Sequence, residues 1–356
     1  MKKNYDLLDL GWNEGFQNEY DMFKENYEVG RVSVEYKNLY RIYTQNGEVY
    51  GTISGKMIYN AETREDYPAV GDWVVLSPGE DGDKRIIQGI LNRKSKFVRK
   101  YAGKSRDEQI IAANIDTAFI CMSLNQNFNL RRLERYITMA WDSGAFPVIL
   151  LTKADLCDNI SELLMETQNS APGIDIIPVS SFLKTGIEEL RKYIKKGNTV
   201  AFIGSSGVGK STIINELLGE YRQTTKEISE SEDRGRHTTT NRELMLLPGG
   251  GILIDTPGMR ELHITDVKDS IDTAFLDIET LAAECRFPDC RHDSEPGCAV
   301  KKAIEQGVLH QERYQSYIKL KKESEFMERK TNAKAKSEYK KMLKKRNKLN
   351  RIKNVK

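Results

Sequence analysis

The chain has 356 residues, 39% of them apolar and 30% charged, with nine prolines and a formal net charge of +3. At roughly 150 residues per domain this length makes two or three domains and excludes a disulfide-stapled miniprotein, and the composition excludes a disordered or collagen-like chain. The longest apolar run, residues 145–151, is far short of a bilayer span, and Asp6, Asp9 and Glu14 interrupt any secretory leader core after Met1. A cytoplasmic protein with no membrane partner is expected.

Between Arg31 and Lys100 the apolar residues alternate: Val32, Val34 and Tyr36, then Tyr40 and Ile42, then Val49, Gly51 and Ile53. Turn signals at Gln45-Asn46-Gly47 and Ser77-Pro78-Gly79 break the pattern, which predicts short strands in a small antiparallel barrel. From about Asn114 the texture changes to continuous apolar runs at 117–122, 145–151, 174–179, 199–203 and 252–254. Runs of this kind are the signature of parallel strands buried on both faces. Helix-length segments separate them, such as Leu130 to Ser143, with Leu130, Leu133, Ile137, Ala140 and Trp141 on one face and Gly144 as its stop. Strand-helix alternation predicts a doubly wound α/β domain. A helix is expected from about Gln311, in a charged region free of proline and glycine.

The segment Gly204-Ser205-Ser206-Gly207-Val208-Gly209-Lys210-Ser211-Thr212 matches the phosphate-loop pattern in full, between a predicted strand and a predicted helix. Glycines let backbone N–H groups approach phosphate oxygens, Lys210 is expected to bridge the β- and γ-phosphates, and Ser211 to ligate Mg²⁺. Asp255 to Gly258 follows the predicted strand 252–254, the place for a magnesium-side aspartate and a γ-phosphate-sensing glycine. Thr152-Lys153-Ala154-Asp155 ends the run 145–151 in the form of a guanine-specificity motif. There the Asp155 carboxylate can accept from two guanine ring donors, a pair that adenine lacks. Ser180 and Ser181, after the run 174–179, complete the base site. The order is specificity loop, serines, phosphate loop, the Thr238 to Thr240 region and last Asp255, so the GTPase domain is circularly permuted.

Three of the five cysteines crowd into 14 residues as Cys285-x4-Cys290-x-His292-x5-Cys298. Three thiolates and an imidazole make a closed tetrahedral set for one structural Zn²⁺, with no open position for water.

This combination of a barrel, a permuted GTPase order and a C-x4-C-x-H-x5-C segment resembles the RsgA family of ribosome small-subunit-dependent GTPases. Residues 234–240 (Arg-Gly-Arg-His-Thr-Thr-Thr) and 295–300 (Glu-Pro-Gly-Cys-Ala-Val) carry it further, over roughly residues 30–325. The resemblance implies an oligonucleotide-binding-fold barrel that touches rRNA, GTP and GDP as ligands, and a GTPase stimulated by the small ribosomal subunit late in its maturation. The implied architecture is multidomain α/β: an N-terminal extension and OB-fold barrel (1–104), a circularly permuted P-loop GTPase domain (105–268), a small zinc-binding domain (269–312) and a helical basic tail (313–356). Met259 stands where a Ras-like order has its water-orienting glutamine, so the resemblance makes His237 the candidate for placing the water. Thr239 is the magnesium-side threonine on the same reading. Thr152 replaces the usual Asn of the specificity motif and removes an amide that could brace the loop, from which modest guanine affinity is expected.

The small net charge conceals an asymmetry. Residues 329–356 hold 13 Lys and Arg against one Glu, leaving the first 328 residues with 42 Lys and Arg against 51 Asp and Glu, or −9. Clusters such as Lys340-Lys341 and Lys344-Lys345-Arg346 fit salt-sensitive, sequence-independent attachment to RNA, and a monomer is expected. Two other readings stand beside the leading one: an RNA-binding scaffold with a nucleotide-sensing site and little hydrolysis, and a permuted GTPase acting on large-subunit precursors.

Overall fold

The computed structural model describes residues 4–23, 27–79, 84–100, 108–219, 242–255, 268–293 and 295–331. Residues 1–263 and 264–356 form two compact units.

In the first unit, α1 (Glu14–Tyr20) precedes β1 (Glu28–Tyr36), β2 (Leu39–Thr44), β3 (Gly47–Ile53), α2 (Gly55–Asn60), β4 (Trp73–Leu76) and β5 (Arg85–Ile90). The strands pair in the order β1-β2-β3-β5-β4, and β4 returns to β1, so the five strands close into a barrel. Only β3 and β5 run parallel, across the connection that carries α2. The alternation reads through to packing: Val32, Tyr40, Ile42, Val74, Leu76 and Ile87 fill the interior. Gly51 is required there, because a Cβ would lie 2.7 Å from Ile42 Cδ1.

The hairpin β6 (Lys96–Lys100) and β7 (Glu108–Ala113) follows the barrel. Beyond it come β8 (Thr117–Ser123), α3 (Leu130–Ser143), β9 (Phe146–Thr152), α4 (Ile160–Ser170), β10 (Ile176–Val179), α5 (Ile187–Leu190), β11 (Thr199–Ile203), α6 (Lys210–Leu218), β12 (Glu243–Leu246) and β13 (Ile252–Asp255). The spatial order is β10-β9-β8-β11-β13-β12, all parallel except β12. The phosphate-loop strand β11 therefore sits in mid-sheet although it comes fourth in the chain. The predicted α3 is found at its predicted bounds: Asn129 caps it by accepting from Arg132 N, and Gly144 ends it at φ 84°. Leu133, Ile137 and Ala140 are buried, whereas Leu130 and Trp141 are half-buried at the margin.

Barrel and parallel sheet are one continuous surface, because β1 also pairs with β12, Val34 opposite Glu243. Arg31, fully buried, fastens the junction: its guanidinium donates to the carbonyls of Leu10 (2.5 Å), Gly71 (3.1 Å) and Asn114 (3.0 Å). Three chain segments are thereby held by one side chain, and three buried carbonyls gain charged donors. The N-terminal segment belongs to the same junction, since Trp12 packs edge-on to the buried Trp73 at 4.7 Å and Tyr5 Oη donates to Glu48 at 2.7 Å.

The second unit contains α7 (Lys268–Ala274), α8 (Leu276–Ala283), α9 (Ala299–Glu305) and α10 (Gln311–Thr331). Arg313 donates twice to Asp277 at 2.7 Å and Tyr317 once to Glu279 at 2.6 Å, which binds α10 to α8. Among the described residues no helix is long and apolar enough to cross a membrane. The basic run from Asn332 onward lies outside the described residues.

Candidate nucleotide site and metal cluster

The phosphate loop leaves β11 and enters α6 through three glycines with positive φ, Gly204 (148°), Gly207 (73°) and Gly209 (97°). Gly204 is also needed for space, as a Cβ would come within 2.5 Å of the Cys121 carbonyl oxygen. Val208 is buried and anchors the loop in the core between β11 and α6. Lys210 Nζ donates to the carbonyls of Gly204 (2.8 Å) and Ser205 (2.7 Å), which holds its charge over the loop. Ser211 and Thr212 lie in the first turn of α6, whose N-terminal N–H groups and dipole favour an anion. Beneath the loop, burial pushes the Cys121 thiol up to about 12, against a smaller opposing effect of Lys210.

The residues expected at the base site converge on the same end of the sheet. Thr152 is buried at the end of β9 and its hydroxyl donates to the Val208 carbonyl at 2.5 Å, joining the specificity motif to the phosphate loop. The expectation that a threonine leaves this loop unbraced is thus answered by a different bond, from hydroxyl to carbonyl. Lys153 takes a left-handed conformation, φ 58°, and turns the chain so that Asp155 follows in a short 3₁₀ turn. Ser180, fully buried, donates to Asp155 Oδ1 at 2.5 Å and accepts from Leu183 N at 3.0 Å. Reciprocal backbone bonds between Ser180 and Thr185 close this loop. Ser181 lies beside it, half-buried. The sequence alone did not reveal the partners of the Thr152 and Ser180 hydroxyls.

Asp255 ends β13 and sits in register opposite Glu243 of β12. The segment therefore fits a magnesium-nucleotide: a glycine cradle, a lysine over it, a hydroxyl at a helix start and a carboxylate on the neighbouring strand. Gly258, Met259, His237 and Thr238 to Thr240 lie outside the described residues.

In the second unit, Cys285, Cys290, His292 and Cys298 bring all four ligand atoms within 4.8 Å of one another. Cys285 Sγ is 3.5 Å from His292 Nδ1 and 3.9 Å from Cys298 Sγ, and His292 Nδ1 is 3.4 Å from Cys298 Sγ. These match the edges of a tetrahedron with bonds of about 2.0–2.3 Å to a central zinc ion. Locally, His292 turns back at φ 57°, and Cys298 caps α9 by accepting from Lys301 N at 3.4 Å. All the cysteines are free thiols, so the cluster can hold a metal.

The family model described as RsgA GTPase matches residues 90–265. Over 307 residues the chain is 48% identical to small ribosomal subunit biogenesis GTPase RsgA 2 of Lactiplantibacillus plantarum, covering 86% of each chain. This chain belongs to the RsgA GTPase family. Small ribosomal subunit biogenesis GTPase RsgA 1 of Oceanobacillus iheyensis is 45% identical over 337 residues, 93% of this chain and 96% of that one. The crystal structure of YjeQ from Thermotoga maritima superposes with a TM-score of 0.64 at 25% identity, covering 84% of this chain and 98% of that one. The expected architecture, a small OB-like barrel, a permuted GTPase sheet and a C-terminal cysteine cluster, is the one found; the barrel has five strands and departs from the expected antiparallel pairing only at β3 and β5. As an RsgA GTPase the chain is a GTP hydrolase.

Proposed function

We propose that this protein is a GTP-hydrolysing assembly factor that binds the small ribosomal subunit and its rRNA, acts late in the subunit's maturation, and is stimulated by it. The observation that carries the reading is near-full-length likeness to proteins named small ribosomal subunit biogenesis GTPases. The sites support it. Asp155, oriented by Ser180, accepts from the guanine donors. The backbone of residues 204–209, with Lys210 and Thr212, receives the phosphates, and Ser211, Thr239 and Asp255 face the metal. Mg²⁺ held there with GTP would supply positive charge to offset the negative charge of the phosphates. Water adds to the γ-phosphorus, its bond to the bridging oxygen breaks, and GDP and phosphate leave. Lys210 stabilises the charge that develops, and His237 positions the water in the subunit-bound protein.

One Zn²⁺ on Cys285, Cys290, His292 and Cys298 serves folding rather than catalysis, because four protein ligands leave no coordination place for water. The four-part division at residues 104, 268 and 312, rRNA contact through barrel and tail, a monomeric state and a cytoplasmic location belong to the same proposal. It is tested by co-sedimenting the zinc-loaded protein with 30S or 50S subunits in the presence of a non-hydrolysable GTP analogue or GDP. Retention on 30S alone, favoured by the analogue, supports it; equal retention on 50S contradicts it.

A further inference from the structure

Glu243 has a place in the sheet that neither the nucleotide loops nor the barrel's packing explains. Arg41 of β2 stands opposite Val34 of β1, Val34 opposite Glu243 of β12, and Glu243 opposite Asp255 of β13. One cross-strand row thus runs from the barrel to the magnesium-side aspartate.

Two details of the barrel aim Arg41 along this row. The register of β1 against β2 shifts between Val32 and Val34, and Arg41 Nε donates to the hydroxyl of the intervening Ser33 at 3.0 Å. With Nε fixed, the Nη2 group reaches across Val34 to Glu243 Oε1 at 2.5 Å. Arg242, just before β12, pairs with Glu35 of β1 at 3.4 Å, a second ion pair between the barrel and this end of β12.

Directly opposed residues of an antiparallel pair share a face, with Cβ atoms about 5 Å apart. Glu243 and Asp255 are therefore neighbouring carboxylates, and like charges so placed repel. Arg41 supplies a positive charge to the one that has no part in the nucleotide site. The Arg41 and Glu243 side chains are only 20% and 38% exposed, so water screens their charges incompletely.

We propose that the Arg41–Glu243 ion pair is a positioning and tuning element that sets the magnesium affinity of the nucleotide site through Asp255, which makes the barrel's second strand part of the GTPase's metal control. The inference rests on the assignment of Asp255 to the magnesium side. A charge effect has a signature that packing lacks, because removing opposite members of the pair moves the metal site in opposite directions. Losing Glu243 leaves a net positive charge beside Asp255 and disfavours a cation, whereas losing Arg41 leaves a net negative one and favours it.

The test measures the free Mg²⁺ concentration that half-saturates binding of a fluorescent, non-hydrolysable GTP analogue by the full-length protein. Expected are a three- to tenfold higher requirement in Glu243→Gln, a lower one by a similar factor in Arg41→Gln, and near wild-type behaviour in the double variant, about the size of one unit charge at this separation. Arg41→Lys, which keeps the charge, serves as a second variant and is expected to stay within about twofold of wild type. Asp255→Asn is the control and must raise the requirement most. Both single variants moving the same way, or neither moving, while Asp255→Asn acts as expected, overturns the proposal alone. An unchanged requirement in Asp255→Asn overturns the assignment of Asp255 and the proposal with it.

Discussion

Replacing Thr152 by valine removes one hydroxyl from a buried position while keeping the side chain's shape. That hydroxyl makes the 2.5 Å bond to the Val208 carbonyl, tying the guanine motif to the phosphate loop. A buried carbonyl left without its donor costs about 1–3 kcal/mol, less whatever local relaxation recovers. If about 1–2 kcal/mol of that is felt where the two loops must be held together around a nucleotide, GDP affinity falls by roughly five- to thirtyfold. Thr152→Ser keeps the hydroxyl and is expected to stay within about threefold of the parent, a loss below 1 kcal/mol. Fluorescent GDP titration and release kinetics, with thermal unfolding of the nucleotide-free protein alongside, read the effect. A Thr152→Val protein that binds GDP as the parent does, at unchanged thermal stability, would refute the bracing role.

Asp155→Asn is expected to exchange guanine for xanthine preference, because an amide can donate to the xanthine O2 where the carboxylate accepted from the guanine amino group; competition between GDP and xanthosine diphosphate measures it. Cys298→Ser removes a thiolate from the four-donor cluster while leaving a hydroxyl that can still cap α9. It is predicted to lower zinc content to well under one ion per chain by elemental analysis and to expose residues 264–356 to protease, whereas retained stoichiometric zinc would count against that cluster. Cys121, whose thiol burial pushes up to about 12, stays protonated and unreactive toward a disulfide reagent at pH 8 in the folded protein, while the half-buried Cys157 reacts. Labelling of Cys121 at the rate of Cys157 would contradict its place under the phosphate loop.

What the sequence made legible was local. Runs buried on both faces located β8, β9, β10, β11 and β13 within two residues, since strands between two helical layers need no polar face. Asn129 and Gly144 bounded α3 because cap chemistry is written in single residues. The glycine spacing of residues 204–209 and the cysteine spacing of 285–298 declared their ligands for the same reason. The pairing of β1 with β12 left no such trace: Val34 and Glu243 are ordinary strand residues whose partnership depends on three-dimensional topology. Arg31, in an alternating strand, gives no hint that it will be buried against three carbonyls from three segments. The first 23 residues were silent for a related reason, as Trp12 and Tyr5 find their partners Trp73 and Glu48 only after the barrel has closed. Thr152 read as the loss of an amide, and only the approach of Val208 shows the bond its hydroxyl makes.

Activation of the GTPase by the small subunit is tested by GTP turnover. The purified zinc-loaded protein is assayed alone, with 30S and with 50S subunits, with ATP and Lys210→Ala as controls. Expected are slow turnover alone, acceleration by 30S and not by 50S, no hydrolysis of ATP, and loss of activity in Lys210→Ala. Turnover of several per second by the free protein, unchanged by 30S, would contradict it.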